Sequence, residues 1–441
     1  YGSWSVTFGA HTGIGTLPIV FFGNTAQKEK YLPKLATGEL VAAYALTEPG
    51  SGSDALGAKT KAVLTADGRH YVLNGSKQFI TNGAFADVFV VFAKVDGEKF
   101  TGFIVEKGTP GFSPGKEEHK MGLRGSSTTT LIFEDAKVPA ENVLGEVGKG
   151  HKIAFNILNE GRLKLGVAAT GGCRMTIESA VAYAKDRKQF ATPILEFGLI
   201  REKLARMAAV TFANESMAWR TTGLIDQRLS GLDHDSDDFP RAVMAAMEEF
   251  ALEASVLKVF GSEALSYCAD EAVQIHGGYG FIEEYPVERT YRDVRVNRIF
   301  EGTNEINRML VTGMLLKKAM KGQLPLLDFA MALEGELEAG NLPERPAHAL
   351  GAEAFAAECI KRLAVYAVKV GVESFGPEIE KHQEVLAAAA DIIMEGYAVD
   401  SMVSRVLQQG GTPDPVQLAM TRLYTTEAHE RAYSRAKKAI A

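Results

Sequence analysis

One carboxylate stands out among the residues able to do chemistry. Residues 289–308 read Arg-Thr-Tyr-Arg-Asp-Val-Arg-Val-Asn-Arg-Ile-Phe-Glu-Gly-Thr-Asn-Glu-Ile-Asn-Arg. Arginines recur three apart at 289, 292, 295 and 298, then give way to Ile299, Phe300 and Glu301, where the helical pattern is interrupted. A carboxylate flanked by apolar side chains at such a break is partly desolvated, which raises its pKa toward the range of a general base. Glu301-Gly-Thr-Asn304 also suits the opening of a new helix, with Glu301 at the surface. Taken alone, the residues favour that plainer reading.

Two other segments are suited to holding a ligand. Tyr44-Ala-Leu46-Thr47-Glu48-Pro49-Gly50-Ser51-Gly52-Ser53-Asp54 combines glycines with small hydroxyl residues, so that backbone N–H groups can approach a polar heteroaromatic ring or a phosphate. A plain Gly-Ser turn is the competing reading. Lys77-Gln78-Phe79-Ile80-Thr81-Asn82-Gly83 sets a bulky aromatic beside a hydroxyl, suited to stacking on a ring while hydrogen-bonding its edge. A strand with one face in a core explains Ile80 and part of Phe79 equally well. Arg162, in Asn159-Glu160-Gly-Arg162, is read as opening a long helix with Glu160 as its cap, and Arg187-Lys-Gln189-Phe190 follows that helix. His11, set among glycines, reads as a turn residue rather than a base. Asp233, Asp235 and Asp237 alternate as in a calcium loop, but the Gly and the closing Glu such a loop needs are missing, so a solvated turn is expected and no metal. No Gly-x-Gly-x-x-Gly follows a strand and no Walker sequence occurs, which disfavours a nicotinamide enzyme or an ATPase.

These residues need a scaffold of several domains. At 441 residues the chain exceeds a single core, and 46% hydrophobic with 23% charged residues is ordinary for a globular protein. A net charge of −7 gives no electrostatic case for nucleic acid. Cys173, Cys268 and Cys359 lack metal-ligand spacing and read as buried thiols in a reducing compartment. No apolar run reaches about 18 residues, so no membrane span is expected. The start, Tyr1-Gly-Ser-Trp-Ser, lacks both Met and a signal pattern, so residues upstream are expected to be missing.

The texture of the chain changes near 44, 149 and 351. Residues 1–43 are Gly-punctuated and then helical, with Gly38 as a stop. Residues 44–148 read as short strands, with Tyr71 to Thr81 as a hairpin turning at Asn74-Gly75, and predict an all-β barrel or sandwich. Helical spacing over 152–185, 194–229, 240–268 and 303–320 predicts a four-helix bundle across 149–322. A linker at 323–350 and helices at 351–372, 378–409 and 414–440 complete a multidomain α+β chain. The last of these carries Arg431, Arg435, Lys437 and Lys438 with Tyr433 and Ile440 interleaved. It reads as a solvated amphipathic helix, with peripheral membrane contact as the alternative.

Ile299-Phe-Glu-Gly-Thr-Asn-Glu-Ile-Asn-Arg308 resembles the signature of the acyl-CoA dehydrogenases, and the Gly-Ser segment, the Phe79 segment, Arg187-x-x-Phe190 and Gln274-Ile-His-Gly-Gly278-Tyr-Gly280-Phe281 resemble that family's flavin-contacting segments in the same order. The resemblance spans about residues 5 to 320. It implies FAD, with Leu46, Thr47, Phe79 and Thr81 at the flavin ring, and Thr303 and Glu305 also toward the cofactor. Many members carry Trp where Phe79 stands, so a stacking face is kept and an N–H donor lost. Arg187, Gln189, Phe190, Gln274 and Gly278 are implied to reach the FAD diphosphate and adenosine of a neighbouring subunit, an oligomer of two or four chains. An arginine fork suits a diphosphate because it holds two oxygens at once. Ser53, Arg162 and Gly302 are implied to lie near the acyl-CoA.

In this likeness Glu301 removes the α-proton of a fatty acyl thioester, and Glu160 is not the base. The tail beyond 320, together with Met121-Gly-Leu-Arg124, Asn142 to Gly148 and Gly198 to Met207, resembles the very-long-chain branch. A long-chain acyl-CoA is therefore the implied substrate and electron-transfer flavoprotein the implied acceptor, in a bacterial cytoplasm or at the mitochondrial matrix or inner-membrane face. An acyl-CoA oxidase or a non-catalytic assembly relative are the alternatives. Members have a longer N-terminal helical domain, of which residues 1–43 resemble the end.

Overall fold

The computed structural model describes residues 2–236, 238–410 and 412–440. The chain divides into two compact units, Tyr1–Gly161 with Leu229–Glu249, and Arg162–Arg228 with Phe250–Ala441. Asp237, the third acid of the alternating trio, lies outside the described residues, and the Asp233 carboxylate accepts the Asp235 N–H at 3.0 Å within its own turn.

In the first unit α1 (Gly2–Gly9) passes through a wider helical turn at Ala10–Gly15 into α2 (Leu17–Phe22), followed by α3 (Thr25–Thr37). Asn24 and Gln27 cap α3 reciprocally at its start, and left-handed Gly38 (φ 75°) ends it. The stretch Gly2–Phe22, with a mean hydropathy of 1.2, is by length and composition apolar enough to cross a membrane, which corrects the expectation that no stretch is. Its apolar residues are broken up by Gly, Ser and Thr, yet it contains no Asp, Glu, Lys or Arg. Its last turns pack inward, with Ile19 fully buried beside Tyr31 and Leu35. His11 is a tie rather than a turn residue. Its Nδ1 accepts the Ala42 N–H at 3.0 Å, which leaves Nε2 to donate to the Leu35 carbonyl at 3.1 Å.

Eight strands follow: β1 (Ala42–Ala45), β2 (Lys61–Leu64), β3 (His70–Thr81), β4 (Val88–Val95), β5 (Lys99–Glu106), β6 (Phe112–Glu117), β7 (Thr128–Pro139) and β8 (Val143–Leu144). They pair in the order β6-β7-β3-β2-β4-β5-β8, with β1 alongside β4. The sheet is mixed, because β1 and β2 both run parallel to β4. Alternation along β4 feeds two cores. Phe89, Val91, Ala93 and Val95 join Leu73, Phe103, Leu131 and Phe133 on one face. Val88, Val90 and Phe92 join Ile19, Tyr31, Leu35, Ile153 and Ile157 on the other. The rings of Phe89 and Phe112 lie 4.9 Å apart although β2, β3 and β7 separate their strands in the ladder, so the sheet folds over its own core. Among the described residues no ladder joins β6 to β8, and the domain is a folded sheet rather than a closed barrel.

The hairpin expected at Asn74-Gly75 is not there. β3 runs unbroken from His70 to Thr81, and Asn74 marks a bulge where the register against β7 shifts between Leu73 and Gly75. Asn74 and Asp135 close the bulge, Nδ2 donating to Asp135 Oδ1 at 3.0 Å and the Asp135 N–H donating to Asn74 Oδ1 at 2.9 Å. The turn falls earlier, at Asp67-Gly68 between β2 and β3, where Gly68 has φ 70°.

Helices α4 (Gly150–Asp186), α5 (Gly198–Leu229), α6 (Phe239–Glu249), α7 (Ala251–His276), α8 (Pro286–Val294) and α9 (Asn304–Met320) come next. α6 and α7 replace the single helix expected over 240–268; the chain departs from helical angles at Phe250 (φ −96°, ψ 20°), and no Gly or Pro announces it. In the second unit α7 is buried on nearly every side. α4 passes close to it at Gly166, where a Cβ would stand 2.7 Å from Leu257 Cβ and 2.8 Å from its backbone.

The segment expected as a linker contains α10 (Leu326–Glu338), which buries Ala330 and Leu333. Then α11 (Gly351–Phe375), α12 (Gln383–Gln408) and α13 (Pro415–Ile440) pack through small side chains such as Ala364, Ala389, Ala428 and Ala432. Charged pairs fasten this trio to the rest of the second unit, among them Arg206–Glu427 (2.7 Å), Arg405–Glu215 (3.0 Å) and Arg308–Asp391 (2.7 Å).

Candidate active site

In the second unit the Glu301 segment is a tight turn rather than a helix end. α8 starts at Pro286, a residue suited to a first helical turn. After a shorter turn over Arg295–Arg298 the chain leaves helical geometry. Glu301 has φ 58° and Gly302 φ 78°, two successive left-handed residues. A non-Gly residue held there costs on the order of 1–3 kcal/mol and persists where the surroundings over-determine it. Gly302 suits its place: at φ 78° any side chain would be strained, and a Cβ would crowd the Asn307 amide nitrogen at 3.1 Å. Thr303 then caps α9, its hydroxyl accepting from the Ile306 N–H at 3.3 Å.

The turn is fixed through its carbonyls. Arg162 Nε donates to the Glu301 carbonyl at 3.0 Å. Asn307 Nδ2 lies within reach of the carbonyls of Glu301, Gly302 and Thr303, at 3.3, 2.8 and 3.0 Å. Lys258 Nζ donates to the Gly302 carbonyl and to Asn304 Oδ1, both at 2.7 Å. Asn304 Nδ2 in turn donates to Glu263 Oε1 at 3.0 Å. Arg308 grips Glu263 with two parallel bonds of 2.9 Å and reaches Asp391 on α12 at 2.7 Å. Arg435 on α13 holds the other Asp391 oxygen at 2.9 Å.

Charge follows this geometry. Burial pushes the Lys258 ammonium down to about 8; the Glu301 charge is the strongest pull back up, Arg162 pushes it further down, and Glu263 and Glu305 raise it. Burial also acts to raise Glu263, but Arg308 outweighs it and leaves the carboxyl below its usual range. Glu305 is lowered by its own backbone N–H at the start of α9 and by the Thr303 hydroxyl.

A second cluster in this unit gathers residues from the two ends of the sequence motif pair. The Arg187 guanidinium lies over the Tyr279 ring at 5.3 Å, and Tyr183 stacks on His276 at 4.1 Å. Gly277, at φ 60°, turns the chain out of α7. Gln189, Phe190, Gln274 and Gly278 are all exposed there, with Phe190 92% exposed at the tip of a small hairpin.

The first unit brings the two ligand-suited segments side by side. The Gln78 N–H donates to the Thr47 carbonyl at 2.9 Å, and Lys77 Nζ donates to the Leu46 carbonyl at 3.2 Å and to Glu48 Oε1 at 2.7 Å. Glu48 also accepts the N–H groups of Lys59 and Thr60, at 2.6 and 3.1 Å. Burial acts to raise the Glu48 carboxyl, but Lys77 and these donors leave it below its usual range. The next residue, Phe79, is left-handed (φ 59°) and 63% exposed, while Thr81 is half-buried and Ser53 exposed.

Two expectations change. α4 starts at Gly150, so Arg162 and Glu160 lie well inside it, neither opening nor capping it; Gly161 sits in the helix without breaking it. Both are buried. Sequence reasoning passed over Lys258, Glu263, Asn307, Lys77 and Glu48. One signal was available, since a lone lysine in Val256-Leu257-Lys258-Val259-Phe260 marks a charge inside an apolar helix.

Four family models match in order along the chain. They are the acyl-CoA dehydrogenase N-terminal domain over residues 1–39, the middle domain over 43–136, and two C-terminal domains over 148–316 and 359–441. A probable acyl-CoA dehydrogenase of Bacillus subtilis is 52% identical over 444 residues, covering 100% of this chain and 75% of its own length. The human mitochondrial very long-chain specific acyl-CoA dehydrogenase is 47% identical over 315 residues, covering 69% of this chain and 45% of its own length. The crystal structure of a Bacillus anthracis acyl-CoA dehydrogenase complexed with FAD superimposes with a TM-score of 0.96 at 52% identity, over 99% of this chain and 75% of that one. With all four domain models in sequence and a relative matched along the whole chain, this protein belongs to the acyl-CoA dehydrogenase family.

Proposed function

We propose that this chain dehydrogenates a long-chain acyl-CoA between its α and β carbons, with Glu301 taking the α-proton. The observation that carries this reading is the anchored left-handed turn, which presents a carboxylate from a fixed backbone instead of a flexible surface helix. As the α-proton moves to Glu301, negative charge grows on the thioester oxygen, and the Glu301 backbone N–H is the protein donor assigned to it. Burial of the acyl chain beside the carboxylate favours the neutral, protonated product of that transfer.

The residues present fit FAD. In the first unit the exposed ring of Phe79 offers a stacking face, and the half-buried Thr81 hydroxyl two residues on offers a polar group, a pairing suited to a flat ring with a polar edge. Leu46, Thr47, Phe79 and Thr81 would hold the ring. In the second unit Arg187, Gln189, Phe190, Gln274 and Gly278 would hold the diphosphate and adenosine of a neighbouring subunit in a dimer or tetramer, and Thr303 and Glu305 would also face the cofactor. When bound, FAD accepts the β-hydrogen as hydride and passes its electrons on to electron-transfer flavoprotein. Ser53, Arg162 and Gly302 are assigned to the acyl-CoA side. Long-chain preference rests on the very-long-chain relative and on helices α11 to α13.

The test is an anaerobic titration of the flavin-loaded protein with palmitoyl-CoA, followed by flavin absorbance. Wild type bleaches; Glu301→Gln keeps its flavin and reduces at least about 10³-fold more slowly, as expected for loss of a general base. Bleaching of that variant at the wild-type rate would overturn the assignment. Rapid turnover in air without an added acceptor would instead indicate an oxidase, and faster bleaching by butyryl-CoA than by palmitoyl-CoA would remove the long-chain preference.

A further inference from the structure

Lys258 is fully buried in the middle of α7. A buried ammonium is costly unless hydrogen bonds satisfy it, and a neutral residue would fill the same volume more cheaply. Its two bonds go to the residues just after Glu301, namely the Gly302 carbonyl and the side chain of Asn304 at the start of α9. The charges acting on it are Glu301, Arg162, Glu263 and Glu305, and Glu301 is foremost among them. Glu263 is already committed to Arg308 and Asn304. Arg162 works on the same turn from α4, through the Glu301 carbonyl. Two cations thus converge on two consecutive carbonyls of one strained turn.

We propose that Lys258 is a positioning residue for the base: its ammonium holds the Glu301–Gly302 turn left-handed through the Gly302 carbonyl, and its charge favours the ionised carboxylate of Glu301 before substrate enters. This rests on Glu301 being the base. A cation near a carboxylate lowers its proton affinity, so removing the cation moves the acid limb of the rate profile to higher pH.

Three variants of the flavin-loaded protein separate the two roles. Lys258→Gln keeps a donor for the Gly302 carbonyl and loses the charge; the acid limb of flavin reduction against pH shifts upward by about one unit, with the high-pH plateau within a few-fold of wild type. Lys258→Met loses both, and a crystal structure shows Glu301 or Gly302 leaving positive φ, together with a plateau about 10²-fold lower. Lys258→Arg restores the acid limb to its wild-type position. Glu301→Gln is run in parallel. If it still reduces, the base assignment fails and Lys258 falls with it. If it is inert while Lys258→Gln has an unshifted pH profile and Lys258→Met an unchanged turn, the base stands and the role of Lys258 is overturned.

Discussion

Lys77 and Lys258 are both completely buried, one in the β-rich first unit and one in the helical second, yet the chain treats them in opposite ways. Lys77 is closed off. Its ammonium meets Glu48 at 2.7 Å, and that carboxylate is further satisfied by two backbone N–H groups. Lys258 is held by two neutral oxygens, one in the strained turn and one on Asn304 at the start of α9, with the charge of Glu301 as its main electrostatic partner. A tightly paired charge fixes a backbone and does little else. A charge held by dipoles responds to whatever the nearby carboxylate does. The first arrangement suits a surface that must stay in shape; the second suits a site where a proton arrives.

Breaking the closed pair should have the largest effect. Lys77→Met leaves Glu48 buried without its cation, and about 3–5 kcal/mol of stability should be lost, read from the urea midpoint. Lys77→Met with Glu48→Gln should recover part of it. A loss below about 1 kcal/mol in the single variant would put Lys77 in the same class as Lys258.

Burial lowers the pKa of both ammonium groups, and the second prediction follows Lys258 through pH. Lys258 titrates near 8 in the folded chain against 10.5 for a free lysine, so the folded state releases its proton first. Below about 8 the cost of burying the ammonium is fully present, and it is relieved as pH rises from about 8 toward 10.5. Relative to Lys258→Met, the wild type should therefore gain on the order of 3 kcal/mol across that window. Parallel denaturation curves with no such gain would mean that the amine stays protonated.

The smallest effect concerns how Lys77 comes to face inward. The bulge at Asn74 resets β3 against β7 shortly before Lys77, and its reciprocal bonds to Asp135 hold it. Asn74→Ala should cost about 1 kcal/mol and leave the pH window of Lys258 untouched. A change in that window would show the two regions to be coupled.

Much of this was legible from residue order. The short strands expected over 44–148 are there as β1 to β8, and the helical spacings of α4, α5, α9 and α11 to α13 locate those helices to within about five residues. The Glu301 motif and the Gly-Ser and Phe79 segments pointed to the family, which the domain models and the relatives show. What escaped depends on partners distant in sequence. Glu48 and Lys77 lie in separately read segments, and nothing local says that they meet. Asn74-Gly75 has the composition of a hairpin turn, but Asp135 on another strand turns it into a bulge. Local pattern reported the elements; the charges buried between them became visible only with the fold.

The double hold on Arg308 has a consequence for inheritance. This guanidinium is largely buried and divides its bonds between Glu263 of α7 and Asp391 of α12, with Arg435 behind it. The last three helices are therefore not a detachable appendix: a chain shortened before α12, or recombined with a foreign tail, leaves a buried cation short of an anion one turn after the Glu301 motif begins its helix. Such a chimera would have to carry a replacement acid along with it. Selection acting on the motif should thus reach into the tail and tie Arg308 and Asp391 together as a pair that changes in step or not at all.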